Sequence, residues 1–155
     1  MGDNGENRRI RLSGFKGSYL HTLDQKGRLN IPAKYRRSPG MAENYTIIRG
    51  LNNCLYVFPE DEWVKVEEEL KTRTKTDPNA LYYLRITLAN AADVQVDRQG
   101  RITIPANLIK TAKFNKEVLV NGRLDRMELW NPDEFEKFKD EFSESYEEVA
   151  KKILI

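Results

Sequence analysis

One decapeptide pattern occurs twice in the chain. Asp24-Gln-Lys-Gly27-Arg28-Leu-Asn-Ile31-Pro32-Ala33 returns as Asp97-Arg-Gln-Gly100-Arg101-Ile-Thr-Ile104-Pro105-Ala106, with Asp, Gly, Arg, Ile, Pro and Ala each recurring after 73 residues. Downstream, Gly50, Phe58 and Trp63 are matched by Gly122, Trp130 and Phe135 at a spacing of 72. A period this long exceeds the roughly 20–50 residues of stacked solenoid repeats. It therefore predicts a duplicated domain whose halves pack about a pseudo-twofold axis and build one shared core.

Each copy follows one plan. Tyr19–Leu23 and Val94–Val96 read as strands, and Asp24-Gln-Lys-Gly27 and Asp97-Arg-Gln-Gly100 as the turns that follow. An aspartate opening a turn accepts a hydrogen bond from the backbone two residues on, and glycine supplies the positive φ of a three-residue hairpin loop with a G1 bulge. Arg28 and Arg101 then begin the return strands, with Leu29/Ile31 and Ile102/Ile104 alternating toward the core. Pro32 and Pro105 suit the first position of a short helix.

Second hairpins are expected from Tyr45–Ile48 with Leu55–Phe58, through Gly50-Leu-Asn-Asn, and from Val118–Val120 with Met127–Trp130, through Gly122-Arg-Leu-Asp. A helix closes each half. In the second, Asn131 is a good N-cap before Pro132. Phe135, Phe138, Phe142, Tyr146, Val149 and Ile153 keep helical spacing, which predicts one long amphipathic helix. In the first, Trp63, Val66 and Leu70 give a shorter stripe. Thr72–Thr76 reads as a linker, and Asp77-Pro78 as the start of a short helix running to about Arg85. The expected fold is α+β, mainly β with peripheral helices.

Charge is unevenly placed. Between Asn7 and Arg37 there are nine basic residues, among them Arg8, Arg9, Arg11, Lys34 and Arg36, against the single acid Asp24; from Asn131 to Ala150 eight acids face Lys137 and Lys139. The basic part suits a polyphosphate partner and the acidic part does not. Both also fit ordinary solvated faces. No run approaches the roughly 18 apolar residues of a membrane span, and the first residues lack the apolar core of a secretory signal, so no membrane partner and a cytoplasmic location are expected.

The chemistry of an enzyme is missing. Catalysis needs a nucleophile with a base, a carboxylate pair, a metal cluster or a phosphate loop. Cys54 and His21 are the chain's lone cysteine and histidine, which excludes an intrachain disulfide and any standard zinc site; no metal and no cofactor are expected. What recurs is an arginine fixed beside a tight turn, and arginine's planar fork matches phosphate oxygens or guanine O6 and N7 in pairs. Asp24 and Asp97 can orient Arg28 and Arg101 across their turns. The same pairs could equally do no more than staple their own hairpins.

At these residues the chain resembles the MraZ family of bacterial regulators, within the AbrB-like class of swapped-hairpin DNA-binding domains. The resemblance rests on Phe15-x-Gly17, His21-x-Leu-Asp24-x-Lys-Gly27-Arg28-Leu-x-Ile-Pro-Ala-Lys34-Tyr-Arg36 and Asp97-x-Gln-Gly100-Arg101-Ile-x-Ile-Pro-Ala, and covers Phe15 to about Phe142. It implies a duplicated, double-split β-barrel and a homo-oligomeric ring of eight or twelve subunits. It also implies binding to direct repeats in double-stranded promoter DNA, repression of the division and cell-wall gene cluster, and association with the nucleoid.

Carried onto this sequence, the contact motifs fall on Asp24 with Arg28 and Asp97 with Arg101. By position, Lys26 and Arg98 are expected as phosphate contacts in the same turns, with Lys34, Arg36 and the leading Arg8, Arg9 and Arg11 as auxiliary contacts. The implied division is 1–14 as a basic flexible extension, 15–72 and 86–142 as the two repeats, 73–85 as a linker with a short helix, and 143–155 as the end of the last helix. Asn107-Leu-Ile109 stands where the first copy has Lys34-Tyr-Arg36, so the second turn is expected to carry fewer supporting cations. The competing reading is a ring scaffold that binds another protein through the apolar face of the 131–153 helix and the acidic surface around it.

Overall fold

The computed structural model describes residues 14–36 and 43–153. Strands β1 (Ser18–Thr22) and β2 (Arg28–Asn30) lead through a 3-10 turn at Ala33–Tyr35 to β3 (Asn44–Arg49), β4 (Leu55–Pro59), α1 (Glu60–Arg73) and α2 (Pro78–Ala89). The second half repeats the order with β5 (Ala92–Gln95), β6 (Arg101–Thr103), α3 (Ala106–Thr111), β7 (Glu117–Arg123), β8 (Arg126–Trp130), α4 (Pro132–Glu141) and α5 (Tyr146–Ile153). The fold is mixed α+β, and every strand pairing is antiparallel.

The pairing explains why the duplication is visible. Six strands form one sheet in the order β1-β7-β8-β4-β3-β5, and β2 with β6 form a separate two-stranded ribbon. Exchanging the halves leaves this pattern unchanged: β1 lies on β7 as β5 lies on β3, while β2·β6 and β4·β8 map onto themselves. The first strand of each half therefore pairs with the other half, not with the strand that follows its own turn, so the hairpins expected at Asp24–Gly27 and Asp97–Gly100 are not formed within one half.

Both halves fill one core. Leu29, Ile47, Leu55, Val57, Ile102, Leu108, Val118, Val120, Met127 and Leu129 have no solvent exposure. Strand β4 is buried on both faces, because its alternation sends Leu55 and Val57 to this core and Tyr56 and Phe58 to a second cluster with Ile48, Cys54, Trp63 and Trp130. The closing helices cover that second cluster. Trp63 of α1 packs on Phe58, with ring centroids 5.5 Å apart, and Phe135 of α4 packs on Trp130 at 5.0 Å.

Four expectations are corrected. The long C-terminal helix is broken: α4 ends where Phe142 turns extended at ψ 125°, and α5 starts afresh with the Ser145 hydroxyl accepting from the Glu148 N–H at 3.2 Å. A Ser-x-x-Glu cap was hidden within an unbroken apolar period. Pro32 and Pro105 sit at the N-cap, not the first helical position, because their ψ angles of 134° and 148° are extended. Helix α1 continues to Arg73 and α2, capped by the Asp77 carboxylate accepting from the Asn79 N–H, continues to Ala89, so the linker is shorter and the helix longer than expected. Gly122 and Arg123 belong to β7, and the turn into β8 is Leu124-Asp125, with Leu124 at φ 62°.

Candidate nucleic-acid interface

The two repeated turns are near-copies in atomic detail. In the first, the Gly27 N–H donates to the Asp24 carbonyl at 3.0 Å and the Asp24 N–H donates to the Arg28 carbonyl at 3.0 Å. Asp24 Oδ1 accepts from the Lys26 and Arg28 N–H groups, both at 2.9 Å, and Oδ2 accepts from Arg28 Nε at 2.6 Å. In the second, Asp97 Oδ1 accepts from the N–H groups of Gln99 and Arg101 and Oδ2 from Arg101 Nε, all at 2.9 Å. One carboxylate thus shapes the turn and clamps the arginine behind it.

The clamp uses only Nε. The two Nη groups of Arg28 and of Arg101 have no hydrogen-bond partner among the described residues, so each guanidinium keeps the edge that grips a paired acceptor. An exposed ion pair adds little to stability; its effect here is orientation. The Arg28 backbone N–H, then the Arg28 side chain, hold the Asp24 carboxyl below its usual 3.8, and Arg101 acts likewise on Asp97. With the folded value depressed, the clamp's contribution is complete above the ordinary aspartate range and is lost as pH falls through the folded value.

The ribbon brings the two clamps together. Arg28 pairs with Thr103, Leu29 with Ile102, and Asn30 with Arg101. The ladder is extended at each end, where the Ile104 N–H donates to the Gly27 carbonyl at 2.8 Å and the Ile31 N–H to the Gly100 carbonyl at 2.9 Å. Leu29 and Ile102 are fully buried, so Arg28 and Arg101 lie on the opposite, outer face as diagonal neighbours, about 7–8 Å apart at Cα. Asn30 and Thr103 share that face and are exposed. They escaped the reading of the sequence, although the alternation that turns Leu29 inward also turns Asn30 outward.

The remaining predicted contacts separate. Lys26 and Arg98 stand exposed at the turn tips and Lys34 is exposed within the 3-10 turn, none with an ion pair among the described residues. Arg36 is different: its side chain is only 17% exposed and its Nε lies 3.7 Å from Glu43 Oε1. Arg8, Arg9 and Arg11 lie outside the described residues.

Arg36 also reverses one expectation. A Cβ added at Gly100 would stand 2.9 Å from Arg36 Nη1, whereas one added at Gly27 would stand 3.2 Å from Ile109 Cδ1. Each turn is thus backed by the other half, and the cation of the first copy supports the second turn. Both glycines need their positive φ, 80° and 82°, but a Cβ at Gly27 would also stand only 2.8 Å from the Ile104 carbonyl oxygen, which is backbone and cannot yield. Gly27→Ala is therefore expected to cost more than Gly100→Ala, where the flexible Arg36 tip can yield. Strain at positive φ is about 1–3 kcal/mol, and parallel urea melts of the two variants check the order.

Elsewhere the chemistry is sparse. Cys54 is buried and its thiol is pushed up to about 12, first by burial and then by Glu128, which makes it a poor nucleophile. His21 is part-exposed on β1. Among the described residues no group of three or more His, Cys, Asp or Glu side chains is placed to hold a metal ion, and no helix is long and apolar enough to cross a membrane.

Fold and site together define a duplicated α+β protein that displays two carboxylate-clamped arginines on a ribbon shared by its halves. The family model of the MraZ protein, described as antitoxin-like, matches residues 15–85 and 87–154. Relatives named transcriptional regulator MraZ are similar over most of their length. That of Caldanaerobacter subterraneus subsp. tengcongensis is 42% identical over 86% of this chain and 92% of its own. Those of Desulforamulus reducens and Moorella thermoacetica are 37% and 39% identical over 90% of this chain, covering 97% and 96% of theirs. The chain belongs to the MraZ family.

Proposed function

We propose that the chain is a sequence-specific DNA-binding transcriptional regulator, a repressor of the bacterial division and cell-wall gene cluster that binds promoter direct repeats through Asp24/Arg28 and Asp97/Arg101. The observation that carries the reading is the pair of Nε-clamped guanidinium groups on one face of the β2·β6 ribbon, with their Nη edges free. A two-stranded ribbon fits the B-DNA major groove, where arginine is the commonest reader of guanine. Lys26 and Arg98 at the turn tips, with Lys34 beside them, serve as phosphate contacts, and the leading Arg8, Arg9 and Arg11 extend them. The names of the relatives support the regulatory role.

The rest of the reading follows the family. The exchange of first strands between halves supports a swapped-hairpin, double-split barrel built from repeats 15–72 and 86–142. A homo-oligomeric ring of eight or twelve copies, acting in the cytoplasm at the nucleoid, completes the reading; its self-association is what the apolar surface left exposed on α2 at Tyr82, Tyr83, Ile86 and Leu88, and on the C-terminal helices at Phe138, Tyr146 and Ile153, supports. That same surface is what favours the second reading, a scaffold for another protein.

Titrating the protein into its own promoter fragment at rising salt tests the choice. Each phosphate contact releases counterions, so the affinity is expected to fall steeply, by about 10³ to 10⁵ between 50 and 200 mM salt if six to ten phosphates are engaged. Absence of promoter binding at every salt concentration, with retention of a protein partner, would select the scaffold.

A further inference from the structure

The outer face of the ribbon carries four side chains, in a register that sets Arg28 beside Thr103 and Asn30 beside Arg101. Asn30 and Thr103 are exposed, and neither side chain has a hydrogen-bond partner among the described residues. Asparagine is depleted from strands, where its amide competes for the backbone and packs poorly. Nothing in the fold calls for one at position 30, where the side chain lies outside the core on the exposed face. Threonine is at home in a strand, so Thr103 is singled out by its place opposite Arg28.

We infer, on the basis of the DNA-binding reading above, that Asn30 and Thr103 read base edges next to the two arginines and set the sequence preference at those neighbouring positions. An asparagine amide donates and accepts toward adenine N6 and N7, and threonine offers a methyl to thymine and a hydroxyl to either neighbour. The four residues span about 7 Å along the ribbon, which matches two base-pair steps of about 3.4 Å each. The ligand is B-form DNA, because the major groove of double-helical RNA is too narrow for side chains to read. The arginines are the same in both halves, whereas position 30 and its counterpart 103 differ. The ribbon is therefore symmetric in its arginines and asymmetric in the two side chains beside them, and its preferred site is asymmetric too.

The test uses the full chain and a random double-stranded DNA library. Bound fragments are selected with the wild type, Asn30→Ala, Thr103→Ala and the exchange variant N30T/T103N, and affinities for the selected site and a scrambled one are measured at fixed salt. Each alanine variant is expected to lose preference at one position, different for the two, and to bind the wild-type site about tenfold more weakly. Scrambled DNA should change by less than about twofold, which a folding defect would not allow. The exchange variant should move the two preferences to opposite ends of the site. Identical motifs from wild type and all variants overturn the inference while leaving the DNA-binding reading intact; a wild type that binds no DNA overturns both.

Discussion

The double variant Arg28→Ala/Arg101→Ala is expected to lose its preference for the promoter while remaining folded and in the same oligomeric state. Each bidentate arginine contributes about 1–3 kcal/mol of discrimination, so each single variant should bind roughly tenfold or more weakly and the double should fall to the level of unrelated DNA. The fold should tolerate both changes, since neither arginine contributes to the buried core and their ion pairs are part-exposed. Fluorescence anisotropy on a promoter fragment, with circular dichroism and light scattering as controls, measures all three properties. Lysine at position 28 adds a sharper comparison. It keeps the charge but has neither the Nε that Asp24 holds nor the fork, so Arg28→Lys should retain salt-dependent binding to any DNA and lose preference for the promoter. Promoter binding unchanged in the double variant would remove the two turns from the interface.

The second large effect concerns stability. Leu29 and Ile102 face each other across the ribbon with no solvent exposure, so truncating either leaves a cavity where the halves meet. Leu29→Ala and Ile102→Ala should each cost about 2–5 kcal/mol, read as a lower urea midpoint with an unchanged slope. Because the two side chains touch one shared core, the double variant should depart from the sum of the singles. Additive losses would mean that the ribbon is not one packing unit. Two such losses together approach the whole stability of an ordinary domain, and the double variant is expected to be largely unfolded at 37 °C.

Much of this was readable in the residues because it is local. The Asp-x-x-Gly-Arg turns follow from an aspartate that hydrogen-bonds forward and a glycine at positive φ, and the N-caps Asp77 and Asn131 follow from side chains that reach two residues on. The alternation around Leu29 and Ile102 correctly placed Arg28 and Arg101 outside. What was not local was lost. A turn dictates where the chain reverses but not which strand it will lie against, so the pairing of β2 with β6, and with it the four-residue outer face, stayed hidden. The break at Phe142 was obscured for a related reason, since Tyr146, Val149 and Ile153 keep the apolar period across a serine that restarts the helix.

The bracing of each turn by the opposite half bears on how such a chain can change over time. Arg36 stands beneath the turn that carries Arg101, and Ile109 beneath the turn that carries Arg28. Neither copy therefore owns the surface it helps to build, and a mutation in one is felt at the other's reading edge. Once two such copies are fused they are free to become different but not to become independent: a cut that separated them would leave each half with its arginine and without the floor that holds it in place.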